Sequence, residues 1–236
     1  MLTGSDNGSR NFAILLPAQR PARCVLCAIK FTAMSQANFI LFTIAILVGG
    51  CKSHQQGDST SSFKTEIPAS VFGHADIFYL LAKDRQKELG LDRLENGFHD
   101  LQVRVWYNSP VAKEQKLVVI TNKYTNWTAA VYDFQVNRDD KEETILSKKI
   151  RQVSPKSGWP IFSKKLLDLQ ILTLLNQDDV EGYSAGRDGT TYSIEVATKN
   201  QYRFYSYWEP QGYQDKFWQA KNMTEILKLI ETELVV

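Results

Sequence analysis

Tyr192-Ser193-Ile194-Glu195-Val196-Ala197-Thr198-Lys199-Asn200-Gln201-Tyr202-Arg203-Phe204-Tyr205-Ser206-Tyr207-Trp208 is the stretch on which the fold turns. Two runs of β-branched and aromatic residues flank a short polar break, the pattern of a β-hairpin. Its register matters because a one-residue slip sends every side chain to the opposite face. A two-residue loop at Lys199-Asn200 sets Val196 opposite Arg203 and Glu195 opposite Phe204, mixing polar and apolar groups on both faces. A three-residue loop, Lys199 to Gln201, places Tyr192, Ile194 and Val196 beside Tyr202, Phe204 and Trp208, and leaves Ser193, Glu195, Arg203, Tyr205 and Tyr207 on the other side. The second register is the expectation, with Glu195 and Arg203 as diagonal neighbours contributing a few tenths of a kcal/mol.

Working outward, Leu101 to Tyr107 alternates and ends at Asn108-Ser109-Pro110, a strand meeting a turn. Leu117 to Thr121 and Ala129 to Val136 repeat the signal, and a fourth strand is expected around Ile145 to Val153. In the third of these, Ala130, Tyr132, Phe134 and Val136 share one face while Asp133 and Gln135 point away. Ile77, Phe78, Leu81 and Ala82 predict a first helix near residues 69–89, with Gly90 ending it in a left-handed conformation. Ser157-Gly158-Trp159-Pro160 reads as the entry to a second helix whose buried stripe is Ile161, Phe162, Leu166 and Leu169. Asn222-Met223-Thr224-Glu225 has the form of a capping box, followed by the stripe Met223, Ile226, Leu227, Ile230 and Leu234 of a C-terminal helix. The fold class expected is α+β: an antiparallel sheet of about five to six strands with helices packed on it, the C-terminal helix included.

The other decisive segment is Phe39 to Val48, an apolar run that closes on Gly49-Gly50-Cys51 and then turns polar. About ten apolar residues are too few to span a bilayer as a helix but suit the apolar region of a secretory signal. Leu47-Val48-Gly49-Gly50-Cys51 resembles the lipobox of bacterial lipoproteins, and the resemblance covers these five positions and the run before them. It implies cleavage before Cys51, a diacylglycerol on the Cys51 sulfur and an acylated amino terminus. Several acyl chains, at about 0.8 kcal/mol per buried CH₂, anchor stably where one would not. Membrane lipid is thus the partner expected at Cys51. A start at Met34 opens without Lys or Arg, whereas the longer leader supplies Arg10, Arg20, Arg23 and Lys30. An uncleaved signal anchor or a lone apolar segment is the alternative.

The division that follows is a leader and signal peptide over 1–50 (starting at 1 or near 34), a flexible polar tether over 51–64, and one globular domain over 65–236. A tether of a dozen residues reaches roughly 20 Å, enough to lift a domain clear of headgroups. Lys52 is not the aspartate that resembles an inner-membrane retention signal, so the outer membrane or the periplasmic face is favoured. Lys+Arg number 28 and Asp+Glu 26; removing four basic residues and one acidic residue with positions 1–50 leaves 24 against 25 and turns +2 into −1. No nucleic-acid footprint is expected from that balance. Cys24 and Cys27 have C-x-x-C spacing but fall in the leader, and no cysteine follows Cys51, so the domain is expected to stand without disulfides or a zinc site.

Chemistry is sparse. The chain has no G-x-S-x-G elbow, H-E-x-x-H helix, phosphate loop or dinucleotide glycine pattern, so no catalytic residue, metal ligand or cofactor is assigned. The acidic run Asp139, Asp140, Glu142 and Glu143 lacks the spacing of a calcium loop and reads as a solvated hairpin tip. His54 lies in the tether; His74 and His99 are followed closely by Asp76 and Asp100, pairs that would serve a general base only with a positioned nucleophile and that read first as polar surface or a helix cap. Aromatic side chains crowd Tyr202 to Trp208 and continue at Tyr213, Phe217 and Trp218. They imply either a sheet covered on both faces or an exposed surface for sugar rings or a protein partner. The surface candidate comprises Arg203, Tyr205, Tyr207, Tyr213 and Trp218, with the loop Gly182 to Gly189 beside it. An envelope protein or polymer is the partner it would take. The expectation is a non-enzymatic lipoprotein, the alternatives an envelope hydrolase using His74 or His99 and a purely structural subunit.

Overall fold

The computed structural model describes residues 62–69, 73–138, 143–186 and 188–236. Cys51, the signal, the tether up to residue 61, Cys24, Cys27, His54, Asp139, Asp140 and Glu142 lie outside the described residues; the last tether position, Lys64, opens the first strand.

Four successive strands, β2 (Leu101–Asn108), β3 (Glu114–Lys123), β4 (Asn126–Arg138) and β5 (Glu143–Val153), form an antiparallel meander. The β3–β4 turn needs only Tyr124 and Thr125, both at positive φ, which matches the twist of a two-residue hairpin. The hairpin β6 (Thr191–Thr198) and β7 (Gln201–Trp208) then returns to the free side of β2, and β1 (Lys64–Glu66) pairs with β7. The sheet runs β1-β7-β6-β2-β3-β4-β5, α+β as expected but with seven strands rather than five to six. It is also not wholly antiparallel: the three residues of β1 run parallel to β7, too short a segment to carry an alternation signal.

Helix α1 (Ile77–Leu89) covers one face, and α2 (Trp159–Asp168) with α3 (Trp218–Leu234) covers the other. Double coverage explains why β2, β6 and β7 are buried on nearly every residue rather than on alternate ones. It also overturns the expected hairpin register. Val196 sits opposite Arg203 and Glu195 opposite Phe204, the two-residue loop. Face purity is a sound criterion only when one face meets water. Here both faces are covered, so Arg203 and Glu195 are drawn into the interior and satisfied by partners.

Helix α1 starts eight residues later than expected. The Asp76 carboxylate accepts from the Phe78 and Tyr79 amides at 2.8 and 3.1 Å, fixing the N-terminus, and Gly90 ends the helix at φ +75°. Its buried face is Tyr79, Ala82, Arg85, Gln86 and Leu89, with Phe78 packed beside it; of the expected apolar set Ala82 is buried and Ile77 is exposed. In α2 the stripe is Phe162 and Leu166, with Leu169 partly buried and Ile161 turned outward.

The capping box at Asn222 is likewise corrected. Helix α3 begins at Trp218, because the Tyr213 carbonyl accepts from the Lys216 and Phe217 amides and the Phe217 ring packs 5.4 Å from Tyr183. Asn222 lies one turn inside, where its amide donates to the Leu169 carbonyl at 3.2 Å and ties α3 to the end of α2. The stripe Met223, Ile226, Leu227, Ile230 and Leu234 is buried in full against Val103, Val105, Val118 and Ile120.

Candidate functional site

The residues expected to form a binding surface do not assemble into one. Tyr205 and Tyr207 are 1% and 0% exposed, and their hydroxyls donate to the carbonyls of Ile171 and Leu175 at 2.6 and 2.7 Å. Burial drives both phenols above their usual range. Arg203 holds the same segment, donating to the carbonyls of Leu172 and Leu174 and pairing with Glu66. These three side chains are the fastening of residues 171–175 to β7. Just beyond, the Asn176 and Gln177 side chains accept from the Ser206 and Trp208 amides, closing the part of the β7 edge that β1 does not reach.

Tyr213 and the loop after Val180 form a plug rather than an open platform. The Tyr183 and Tyr213 rings stack at 4.4 Å, the Tyr213 hydroxyl donates to the Ser184 carbonyl, and the Trp208 indole donates to the Asp188 carbonyl. Gly186 and Gly189 let the backbone lie directly on the Trp208 ring; a Cβ at either would come within 3 Å of it. Trp218 alone of the five is open, 51% exposed at the start of α3.

Both histidines lie at the surface. Asp76 is the cap of α1, as above. His99 Nδ1 meets Asp100 Oδ1 at 2.8 Å, the other Asp100 oxygen accepts from the Tyr124 amide, and the His99 ring sits 4.5 Å from the Tyr124 ring. That amide, and then His99, hold the Asp100 carboxyl below its usual range. The group clasps the β3–β4 turn. Among the described residues no set of three or more His, Cys, Asp or Glu is arranged to hold a metal ion.

A different feature emerges on the face covered by α2 and α3. Along each central strand the rows under the helices are apolar: Ile194, Val105, Val118 and Val131 lie side by side. Two residues further along, the row becomes Tyr192, Tyr107, Lys116, Asp133 and Lys149, in register across β6, β2, β3, β4 and β5. The next row brings Glu114, Gln135 and Ser147 together. These residues line a groove of roughly 710 Å³ with Thr190 and Ser109 at one side. That volume is within the usual range for ligand sites.

Its electrostatics are uneven. Arg151 pairs with Asp133 at 3.2 Å, which neutralises the carboxylate at the centre of the row. Lys116 lies 5.7 Å from the Tyr107 ring centroid, and neither it nor Lys149 has an ion-pair partner among the described residues. Tyr107 and Tyr192 meet edge to face at 5.3 Å. Burial, and then the charge of Glu231, push the Tyr107 phenol well up, so it stays protonated, and its hydroxyl has no hydrogen-bond partner among the described residues. The groove therefore offers Lys116 and Lys149 without ion-pair partners among the described residues, the carboxylate of Glu114, an aromatic wall and several amide and hydroxyl groups.

No protein-family model matches the chain, and no curated protein is significantly similar to it. No helix among the described residues is long and apolar enough to cross a membrane.

Sequence reasoning placed Asp133 and Gln135 together, away from Tyr132 and Phe134, which is the signal that could have located the groove. It missed Tyr107, Lys116, Lys149 and Tyr192 because these meet only once the pairing of five strands is known.

Proposed function

We propose that this chain is a lipid-anchored protein of the bacterial cell envelope, on the outer membrane or its periplasmic face, whose α+β domain binds a partner non-enzymatically in the groove. Support for the anchor is the lipobox-like segment Leu47 to Cys51 and the polar tether behind it. Binding rests on one observation: the row Tyr192, Tyr107, Lys116, Asp133 and Lys149 converts a sheet face that is apolar beneath the helices into a polar, aromatic-walled hollow. The unpaired Lys116 and Lys149 favour a partner that is anionic where it enters.

A photo-crosslinking residue placed at Lys116 in living cells should capture an envelope component, while the same residue at exposed Lys221 on α3 should not. Identical capture from both positions, or none from Lys116, would defeat the reading.

A further inference from the structure

The geometry points to an extended acidic polypeptide as the partner, added as an eighth strand along the outer edge of β5 with its carboxylates against Lys149 and Arg151 at the rim of the groove. The inference rests on the binding-domain reading above and names its partner class.

Strand β5 ends the sheet, paired with β4 on one side and with no other described strand. The backbone N–H and C=O groups along such an edge are a template for an incoming chain. Near its start it meets the end of α1. The Ile145 amide donates to the Glu88 carboxylate at 2.7 Å, and Lys148 Nζ donates to the Glu88 and Leu89 carbonyls at the end of α1. From Lys149 to Val153 no side chain among the described residues hydrogen-bonds the backbone.

Charge selects among occupants. On the groove face β5 presents Lys149 and Arg151, with Asp133 of β4 offsetting one of the two; its one acid, Glu143, is taken up by Arg85 and Arg138 at the far end of the strand. Two copies pairing edge to edge would bring these cations together, whereas an acidic strand would meet them with opposite sign. Side-chain alternation adds a second condition. Lys149 and Arg151 point to the groove face, and Ile150, opposite Tyr132 and 47% exposed, points to the other. A strand alternating acidic with apolar residues satisfies both faces.

The test uses the purified full chain and two synthetic ten-residue peptides, one alternating glutamate with valine and one alternating lysine with valine. With the glutamate peptide at saturation, amide exchange over residues 149–153 should slow about tenfold, and with the lysine peptide it should not change. Lys149→Glu should weaken the glutamate peptide by about tenfold and admit the lysine peptide. No slowing, equal slowing by both peptides, or dimerisation of the protein through β5 without peptide would overturn the inference. Capture of a glycan from Lys116 in cells would also overturn it while leaving the binding-domain reading in place, whereas the absence of any capture removes that reading itself.

Discussion

Trp106 and Glu195 meet beneath α1, where the indole Nε1 donates to the carboxylate at 2.7 Å and both side chains are shielded from water. The Tyr202 hydroxyl donates to the second carboxylate oxygen at 3.0 Å, and Arg104 stands 3.8 Å away, held by Gln86, Gln102 and the Asp92 carbonyl. Removing the acceptor strands two donors in the interior and takes the nearby carboxyl from the buried Arg104 guanidinium. Glu195→Ala should therefore cost about 3–5 kcal/mol in urea denaturation, and Glu195→Gln distinctly less because it keeps an acceptor. An Ala variant as stable as the parent would show that this network holds nothing.

Two carboxyls give stability opposite dependences on pH. At Glu143, burial acts upward but is outweighed by Arg85 and then Arg138, so the carboxyl lies below its usual value. Its contribution is complete above the unfolded-state pKa and is lost as the pH falls through the lower, folded one. At Glu195 burial outweighs Arg104, Trp106 and Tyr202, and the carboxyl lies above its usual value. That contribution is complete below the unfolded-state pKa and is lost as the pH rises through the raised one. Thermal melts across this range should show Glu143→Gln flattening the acid limb and Glu195→Gln flattening the opposite one. Parallel curves for parent and both variants would contradict the assignments.

The Trp208 plug depends on two missing side chains. A Cβ at Gly186 would stand 2.4 Å from the indole, and Gly189 combines φ +115° with an approach of 2.9 Å to Nε1. Gly186→Ala and Gly189→Ala should each destabilise by roughly 1–3 kcal/mol and shift tryptophan emission as the ring is displaced. Unchanged emission and stability in both would mean the loop is not seated on Trp208.

Tyr205 and Tyr207 act through packing. Tyr205→Phe and Tyr207→Phe should each lose about 0.5–1.5 kcal/mol with their bonds to Ile171 and Leu175, and Tyr205→Ala about 3–5 kcal/mol. Capture from Lys116 should survive the Phe substitutions. Loss of capture at unchanged stability would return these two tyrosines to the binding surface.

Legibility in the sequence followed how many faces an element buries. The α3 stripe from Met223 to Leu234 was readable because that helix buries one side, and the β4 alternation because Asp133 and Gln135 leave the covered rows. The β6–β7 register was not, since Glu195 and Arg203 look like solvent residues, yet Glu195 is buried, Arg203 is largely covered, and both are bonded to interior partners. Helix α1 hid its inner face for the same reason: Arg85 and Gln86 belong to its charged stretch yet are buried, bonded to Asn108 and Arg104. The groove is assembled from five strands, and no local window contains it.

The central claim is that a domain with this groove is held at an envelope by lipid on Cys51. Intact-mass analysis of the protein isolated from membranes tests it most directly. The account predicts a chain that begins at Cys51 and carries a diacylglycerol and an additional acyl group; a chain retaining residues before Cys51, or one with an unmodified Cys51, would contradict it.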